Sequence, residues 1–422
     1  MKKDFYLKLL QSLFFYFFVQ GSTFFLNLYI IRIYDKDMFG TYAMILNTAI
    51  LIGGIADLGM GSVASRFVAE FKNNQEQRAK NILKLSLCIS AITSVVISFS
   101  FFLLNDYIVK FLFGNFIFKN EVLISSLIIL FFTLNTTLTG VLVGLGFFSQ
   151  LAKISAIGGL TYLLLPLLLK NSLGIFGILL GVGLSYFLQV LLMYVLIIRN
   201  GLLKNSKNQD FQLFSEINLL YKYALPGTIG GLTAVFALWL LQYNLLQSYG
   251  GTKLIADYNV AFSIKSIVLI LPAIVNSVSL NFLNGILGKE KKAYKNAFKL
   301  SNYITIYSTI LIACIFSVFN NYILLLFGKQ YETNSSFLFI LLIATIPEAI
   351  TISRSQILTS ENKIWKSFFF VNIPRDVIIL ILVGSVLISS YGVMGACVTY
   401  LFARIYSMIS VYILTFNSKL IV

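Results

Sequence analysis

Apolar runs of about twenty residues recur along the whole of this 422-residue chain, and each is long enough to cross roughly 30 Å of hydrocarbon as a helix. A single such run fits a signal sequence or a buried core helix. A succession of them fits only a polytopic membrane protein. Hydrophobic residues make up 58% of the chain and charged residues 11%, where a soluble domain carries roughly a quarter charged. Mean hydropathy is +0.87. Hydrocarbon offers the backbone no hydrogen-bond partners, and the runs are continuous rather than alternating, so the spans are helices and not barrel strands. The first run, in MKKDFYLKLLQSLFF, stays apolar to about Ile31 and no small-residue cleavage site follows. It reads as a retained membrane helix rather than a signal peptide.

Twelve helices are expected, at about 10–33, 40–63, 85–104, 122–146, 154–170, 175–198, 227–248, 259–286, 300–319, 335–358, 368–389 and 393–415. Counted on alternate sides of such a chain, 21 Lys and Arg fall on the side of the N-terminus and seven on the other. The positive-inside rule then places both termini in the cytoplasm. This sidedness also accounts for much of the net charge of +16 without a nucleic-acid partner. The longest internal loop marks a division into an N-terminal six-helix half (1–200), a cytoplasmic linker (201–226) and a C-terminal six-helix half (227–422). Within the loop, FQLFSEINLLYKYAL has the pattern of an amphipathic helix on a membrane face.

The halves repeat one another. KNILKLS at 80–86 and KNAFKLS at 295–301 share five of seven letters at an offset of 215. Tyr42 and Tyr258 are 216 apart, Tyr107 and Tyr322 are 215 apart, and Ser172 and Ser390 are 218 apart. One near-constant offset across matching topological positions indicates an internal duplication. The repeated KN..KLS phrase is expected to be a basic collar entering the third helix of each half. Six helices per half is an even number, so both copies insert in the same orientation. The expected fold is all-α and polytopic, with about 12 transmembrane helices in two six-helix bundles related by a pseudo-two-fold axis along the membrane normal and a cavity between them.

Catalytic signatures are missing. The chain has no histidine, which removes His-dependent triads, zinc sites of the HExxH type and imidazole proton relays. LGKEKK lacks the glycine spacing and the hydroxyl of a P-loop. Cys88, Cys314 and Cys397 have no metal or disulfide spacing and read as small buried core residues. The expectation is a non-enzyme with no cofactor and no metal. The informative residues are charges inside apolar runs, because an ionisable group near the bilayer centre costs about 2.5–3.5 kcal/mol and must line a cavity or find a partner. These are Asp57, Lys265, Glu348, Arg354, Arg375, Asp376 and Arg404, with Arg32 at a helix end. Cations outnumber carboxylates in the second half, which suits an anionic solute held by guanidinium forks. The candidate substrate-binding set is therefore Arg375, Arg404, Lys265, Arg354 and Arg32, with Asp57 and Glu348 as candidate ion-coupling residues. Ion pairing, such as Glu348 with Arg404, and snorkelling of Arg354 and Arg32 are the alternative readings. Helix amides such as Asn135, Gln189, Asn276 and Gln356 suit either sugar contacts or interhelical hydrogen bonds. Pro272 marks a helix able to bend.

FGTYAMILNTAILIGGIADLGMGSVASRFVAEF at 39–71, the SxGxxG turns at 172–177 and 390–395, and the Tyr-Ile…Phe-Gly segments resemble the multidrug/oligosaccharidyl-lipid/polysaccharide (MOP) exporter superfamily, and within it the Wzx-type polysaccharide flippases. The resemblance covers nearly the whole chain. It implies a flippase that moves an undecaprenyl-diphosphate-linked oligosaccharide to the outer leaflet of a bacterial cytoplasmic (inner) membrane, for O-antigen or capsule assembly. It also implies a polysaccharide polymerase and a chain-length regulator as partners, besides membrane lipid. Of the family's motifs only Asp57, Leu58 and Gly59 carry over residue by residue, and a structural role fits them as well as a functional one. A MATE-like antiporter of cationic drugs is the alternative, and it calls for accessible carboxylates. A membrane polymerase fits less well, since the chain has no large outer loop.

Overall fold

Among the described residues, helix follows helix with little between them. The computed structural model describes residues 18, 20–72, 75–201, 225–276, 291–361, 363–416 and 418. Among these, every regular element is helical. In order they are α1 (20–33), α2 (Lys36–Asp57), α3 (Met60–Phe71), α4 (Glu76–Leu103), α5 (Asn105–Phe113), α6 (Lys119–Leu145), α7 (Phe148–Arg199), α8 (Leu225–Gln247), α9 (Thr252–Val268) and α10 (Ile270–Asn276). There follow α11 (Lys291–Val318), α12 (Asn320–Phe327), a 3₁₀ turn (Lys329–Asn334), α13 (Ser335–Ser360) and α14 (Ile364–Phe416). Most of FQLFSEINLLYKYAL, with Asn281 and Asn284, lies outside the described residues.

Eight of these runs are long and apolar enough to span a membrane. Two of them, α7 and α14, are each divided by a non-helical glycine, Gly174 and Gly392. The bent pair α9–α10 supplies a further span, which with the two divisions makes eleven among the described residues, preceded by α1. Pro272 explains the bend of 46° between α9 and α10: lacking an N–H, it cannot bond the carbonyl of Val268, where α9 stops.

Two packing units divide the chain, one formed by Met1–Met44 with Phe236–Val422 and the other by Ile45–Val235. In the first, the start of α2 is tied to α9. Lys36 Nζ meets Asp257 Oδ1 at 2.7 Å, Thr252 donates to Asp37 at 2.8 Å, and Gly40 lies so close to the Thr252 carbonyl that a Cβ would stand 1.8 Å from it. In the second, α6 packs on α3, α4 and α7.

The duplication is visible element by element. Helices α4 and α11 end at an offset of 215, and α5 and α12 begin at the same offset. Asn105 Nδ2 donates to the Lys119 carbonyl at 3.0 Å, and Asn320 Nδ2 donates to the Ser335 carbonyl at 2.7 Å. The SxGxxG turns show why they need two glycines. Gly174 has φ 60° and ψ −137°, and Gly392 has φ 55° and ψ −128°, a conformation that a side chain disfavours. Three residues on, a Cβ at Gly177 would stand 2.4 Å from the Leu169 carbonyl, and one at Gly395 would stand 2.1 Å from the Leu387 carbonyl.

The repeated KN..KLS phrase proves to be more than a collar before the third helix. It lies inside α4 and α11, because these helices continue well before their apolar stretches begin. Its serine opens a stripe of small residues spaced by four: Ser86, Ser90, Ser94 and Ser98 in α4, and Ser301, Thr305, Thr309 and Ala313 in α11. All eight are buried. Helix α4 packs on α6, and α11 packs on α13. Small side chains let membrane helices approach closely, where lipid gives no hydrophobic drive to association. The cysteines correct another expectation. Only Cys397 is buried, whereas Cys88 and Cys314 are exposed. In a membrane helix the outer face is as apolar as the core, so an apolar neighbourhood in sequence does not mark an interior position.

A buried ion cluster as the candidate functional site

Three of the candidate residues meet within the first packing unit, on α9, α13 and α14. Lys265 is 3% exposed and Glu348 9% exposed, so neither ion is solvated and each needs a partner in the protein. Lys265 Nζ lies 2.8 Å from Glu348 Oε2. Arg404 Nη2 lies 3.3 Å from Glu348 Oε1. Between them stands Tyr400, wholly buried. Its hydroxyl accepts from Lys265 Nζ at 2.5 Å and donates to Glu348 Oε2 at 2.8 Å. The Tyr400 ring also faces both cations, with Lys265 Nζ 4.6 Å and the Arg404 guanidinium 4.5 Å from its centroid.

Helical spacing assembles this arrangement. Tyr400 and Arg404 are four residues apart and therefore share a face of α14. One carboxylate accordingly receives an ammonium, a phenol and a guanidinium from two helices.

The other candidates are placed differently. Arg375 pairs with its neighbour Asp376, Nε to Oδ1 at 2.6 Å and Nη2 to Oδ2 at 2.7 Å. Asp376 is completely buried. Both residues lie in a π-helical stretch, Phe368–Asn372 and Pro374–Val383, a widened geometry found mostly in single turns and frequently at functional sites. Arg354, half-buried, donates to Thr415 Oγ1 at 3.0 Å and lies over the Tyr412 ring. Arg32 is exposed, with Nε donating to the Leu326 carbonyl at 2.8 Å.

Asp57 lies in the second packing unit. Its Oδ1 accepts from Thr136 at 3.0 Å and Thr137 at 2.6 Å, and its Oδ2 faces the Gly61 amide at 3.4 Å. It thus sits at the start of α3 and ties the α2–α3 break to α6. Leu58 and Gly59 take positive φ at that break, 47° and 71°, which accounts for the Asp-Leu-Gly motif. The helix amides largely bond one another, Asn135 with Gln189 at 3.3 Å and Gln356 with Asn276 at 2.6 Å.

Sequence reasoning missed Tyr400, Thr136 and Thr137. Tyrosines and threonines are plentiful in such a chain, and the usable signal for Tyr400 was its place one turn from a charged residue in an apolar run.

No family model matches the chain, and no curated protein matches it. Solved structures do. The MATE multidrug transporter DinF-BH superposes with a TM-score of 0.82 at 16% identity, over 100% of this chain and 97% of that one. A MOP superfamily transporter from Pyrococcus furiosus, described by a binding pocket whose reverse polarity suggests a different function, gives 0.75 at 14% identity over 96% and 94%. The eukaryotic MATE transporter AtDTX14 gives 0.74 at 14% identity over 98% and 97%. The chain is an all-α, multi-span membrane protein with the fold of these transporters.

Proposed function

We propose that this protein is a transporter of the MOP type that flips an undecaprenyl-diphosphate-linked oligosaccharide from the cytoplasmic to the outer leaflet of a bacterial inner membrane, for O-antigen or capsule assembly. The observation that carries this reading is the balance of charge inside the second half. Lys265, Arg354, Arg375 and Arg404 stand within membrane-spanning helices against three carboxylates, Asp257, Glu348 and Asp376, and Asp257 is already taken by Lys36 of α2. Such a surplus stabilises an anion, and low dielectric strengthens the attraction. In this account the polyprenyl tail stays in lipid while the cations shelter the diphosphate. Rocking of the halves 1–200 and 227–422, with 201–226 as the linker in the chain between them, exposes the headgroup to the outer face. Both termini are cytoplasmic, and the product feeds a polysaccharide polymerase and its chain-length regulator.

Replacing Arg375 and Arg404 together by Ala tests the reading. Surface glycan is expected to disappear at normal protein abundance, and unchanged glycan would remove these residues from the substrate path.

The second reading is an antiporter of cationic drugs, favoured by the fold likeness to multidrug transporters. It calls for a carboxylate free to meet a cation. Asp57 is occupied by two hydroxyls and Glu348 by two cations, which favours the anionic substrate. Ion coupling at Asp57 or Glu348 remains part of the proposal. Transport that persists after proton and sodium gradients are both collapsed would remove it.

A further inference from the structure

The two partly buried guanidinium groups, Arg375 and Arg404, differ in one respect. Arg375 uses its whole Nε–Nη2 edge, with one bond to each oxygen of Asp376 at 2.6 and 2.7 Å. That is the bidentate geometry in which arginine binds an oxyanion best. Arg404 uses the same edge by halves. Its Nη2 reaches Glu348 at 3.3 Å, longer than the roughly 2.7–2.9 Å of a charge-assisted hydrogen bond. Its Nε is buried and has no hydrogen-bond partner among the described residues. A buried charged donor left without an acceptor is costly, and native structures seldom keep one without a reason. Glu348 therefore satisfies Lys265 and Tyr400 well and Arg404 poorly.

We infer that Glu348 occupies, in the unloaded protein, the seat of an anionic substrate group, and that a phosphate oxygen pair displaces it by closing on Lys265, the Tyr400 hydroxyl and both donors of the Arg404 edge. The inference rests on the transport reading above and names the chemistry of its site as phosphate or diphosphate. Phosphate chemistry suits the seat because its oxygens can take the Arg404 edge in parallel while a further oxygen meets Lys265. Glu348 supplies the charge that the buried Lys265 and the partly buried Arg404 need when no substrate is present. Pro347, directly before it in α13, removes one backbone rung and loosens the helix at the place where the side chain must move. Arg375 keeps its bond to Asp376 during this exchange and contributes its charge alone to holding the diphosphate.

Farnesyl diphosphate, a soluble isoprenoid diphosphate, serves as the probe, with binding to the purified full-length protein measured by calorimetry. Glu348→Gln is expected to bind it at least tenfold more tightly than the native protein, and Arg404→Ala is expected to lose binding at least tenfold. In the native protein, adding the probe should shift the infrared bands of a carboxylate, and that shift should vanish in Glu348→Gln. Binding that depends on Arg404 but is unchanged or weakened in Glu348→Gln would overturn the displacement and leave the transport reading standing. Absence of binding by the native protein and by Glu348→Gln alike would overturn both. If Glu348→Gln does not fold, the native protein decides alone, since binding without any carboxylate shift refutes the inference.

Discussion

Tyr400 joins the two halves of the ion cluster, accepting from Lys265 and donating to Glu348 while its ring lies against both cations. Tyr400→Phe keeps the ring and removes only the hydroxyl. Since a hydrogen bond to a charged group contributes about 1.5–3 kcal/mol, the variant is expected to lose stability in that range, read from unfolding in detergent. Thr137→Val belongs to the same class. It removes the 2.6 Å bond to Asp57 and is expected to cost about 1–3 kcal/mol by leaving a buried carboxylate under-satisfied. At this scale the charges were legible in the sequence, because an ion in an apolar run must find a partner. Which partner it takes was not. Glu348 with Arg404 was foreseeable as one pairing among several, whereas Arg375 with Asp376 depends on a π-helical backbone that no residue pattern announces. Tyr400 was hidden among aromatic residues that make up 15% of the chain.

The helices carry the record of the duplication better than the letters do. Five of seven matched residues in one phrase were a weak sign. The buried stripe from Ser86 to Ser98 and its counterpart from Ser301 to Ala313 give the physical reason for the match, which is close packing of α4 on α6 and of α11 on α13. The SxGxxG turns give a graded prediction. Gly174 has open space where a Cβ would go, so Gly174→Ala meets only backbone strain, about 1–3 kcal/mol. Gly177→Ala and Gly395→Ala push a Cβ against a carbonyl oxygen and are expected to cost more, since overpacking moves whole helices. Folded yield by size-exclusion chromatography should fall in the order Gly174→Ala, Gly177→Ala, Gly395→Ala. Equal yields would show that the helices part easily at this crossing. Helix ends were less legible than helix identities, because α4 and α11 begin in polar sequence that hydropathy alone assigns to loops. Pro272 is the exception, marking its bend in the sequence.

For the molecule as a whole, the spans, their number and their helical nature followed from the length and continuity of the apolar runs. Substrate class did not follow, because a fold of this kind serves more than one cargo and function resides in the site placed on it. The two cargo classes differ in the charge they call for: an anionic headgroup calls for cations, and a cationic drug calls for free carboxylates. The central claim is flipping, and it is tested most directly in a strain lacking this protein. The polyprenyl-linked oligosaccharide would be labelled and its leaflet read with a membrane-impermeant glycan-modifying reagent. The account predicts intact repeat units held on the cytoplasmic face, released to the outer face when the native chain is restored and not when the Arg375→Ala, Arg404→Ala variant is. Labelled units reaching the outer face in the deletion strain, with surface glycan unchanged, would contradict it.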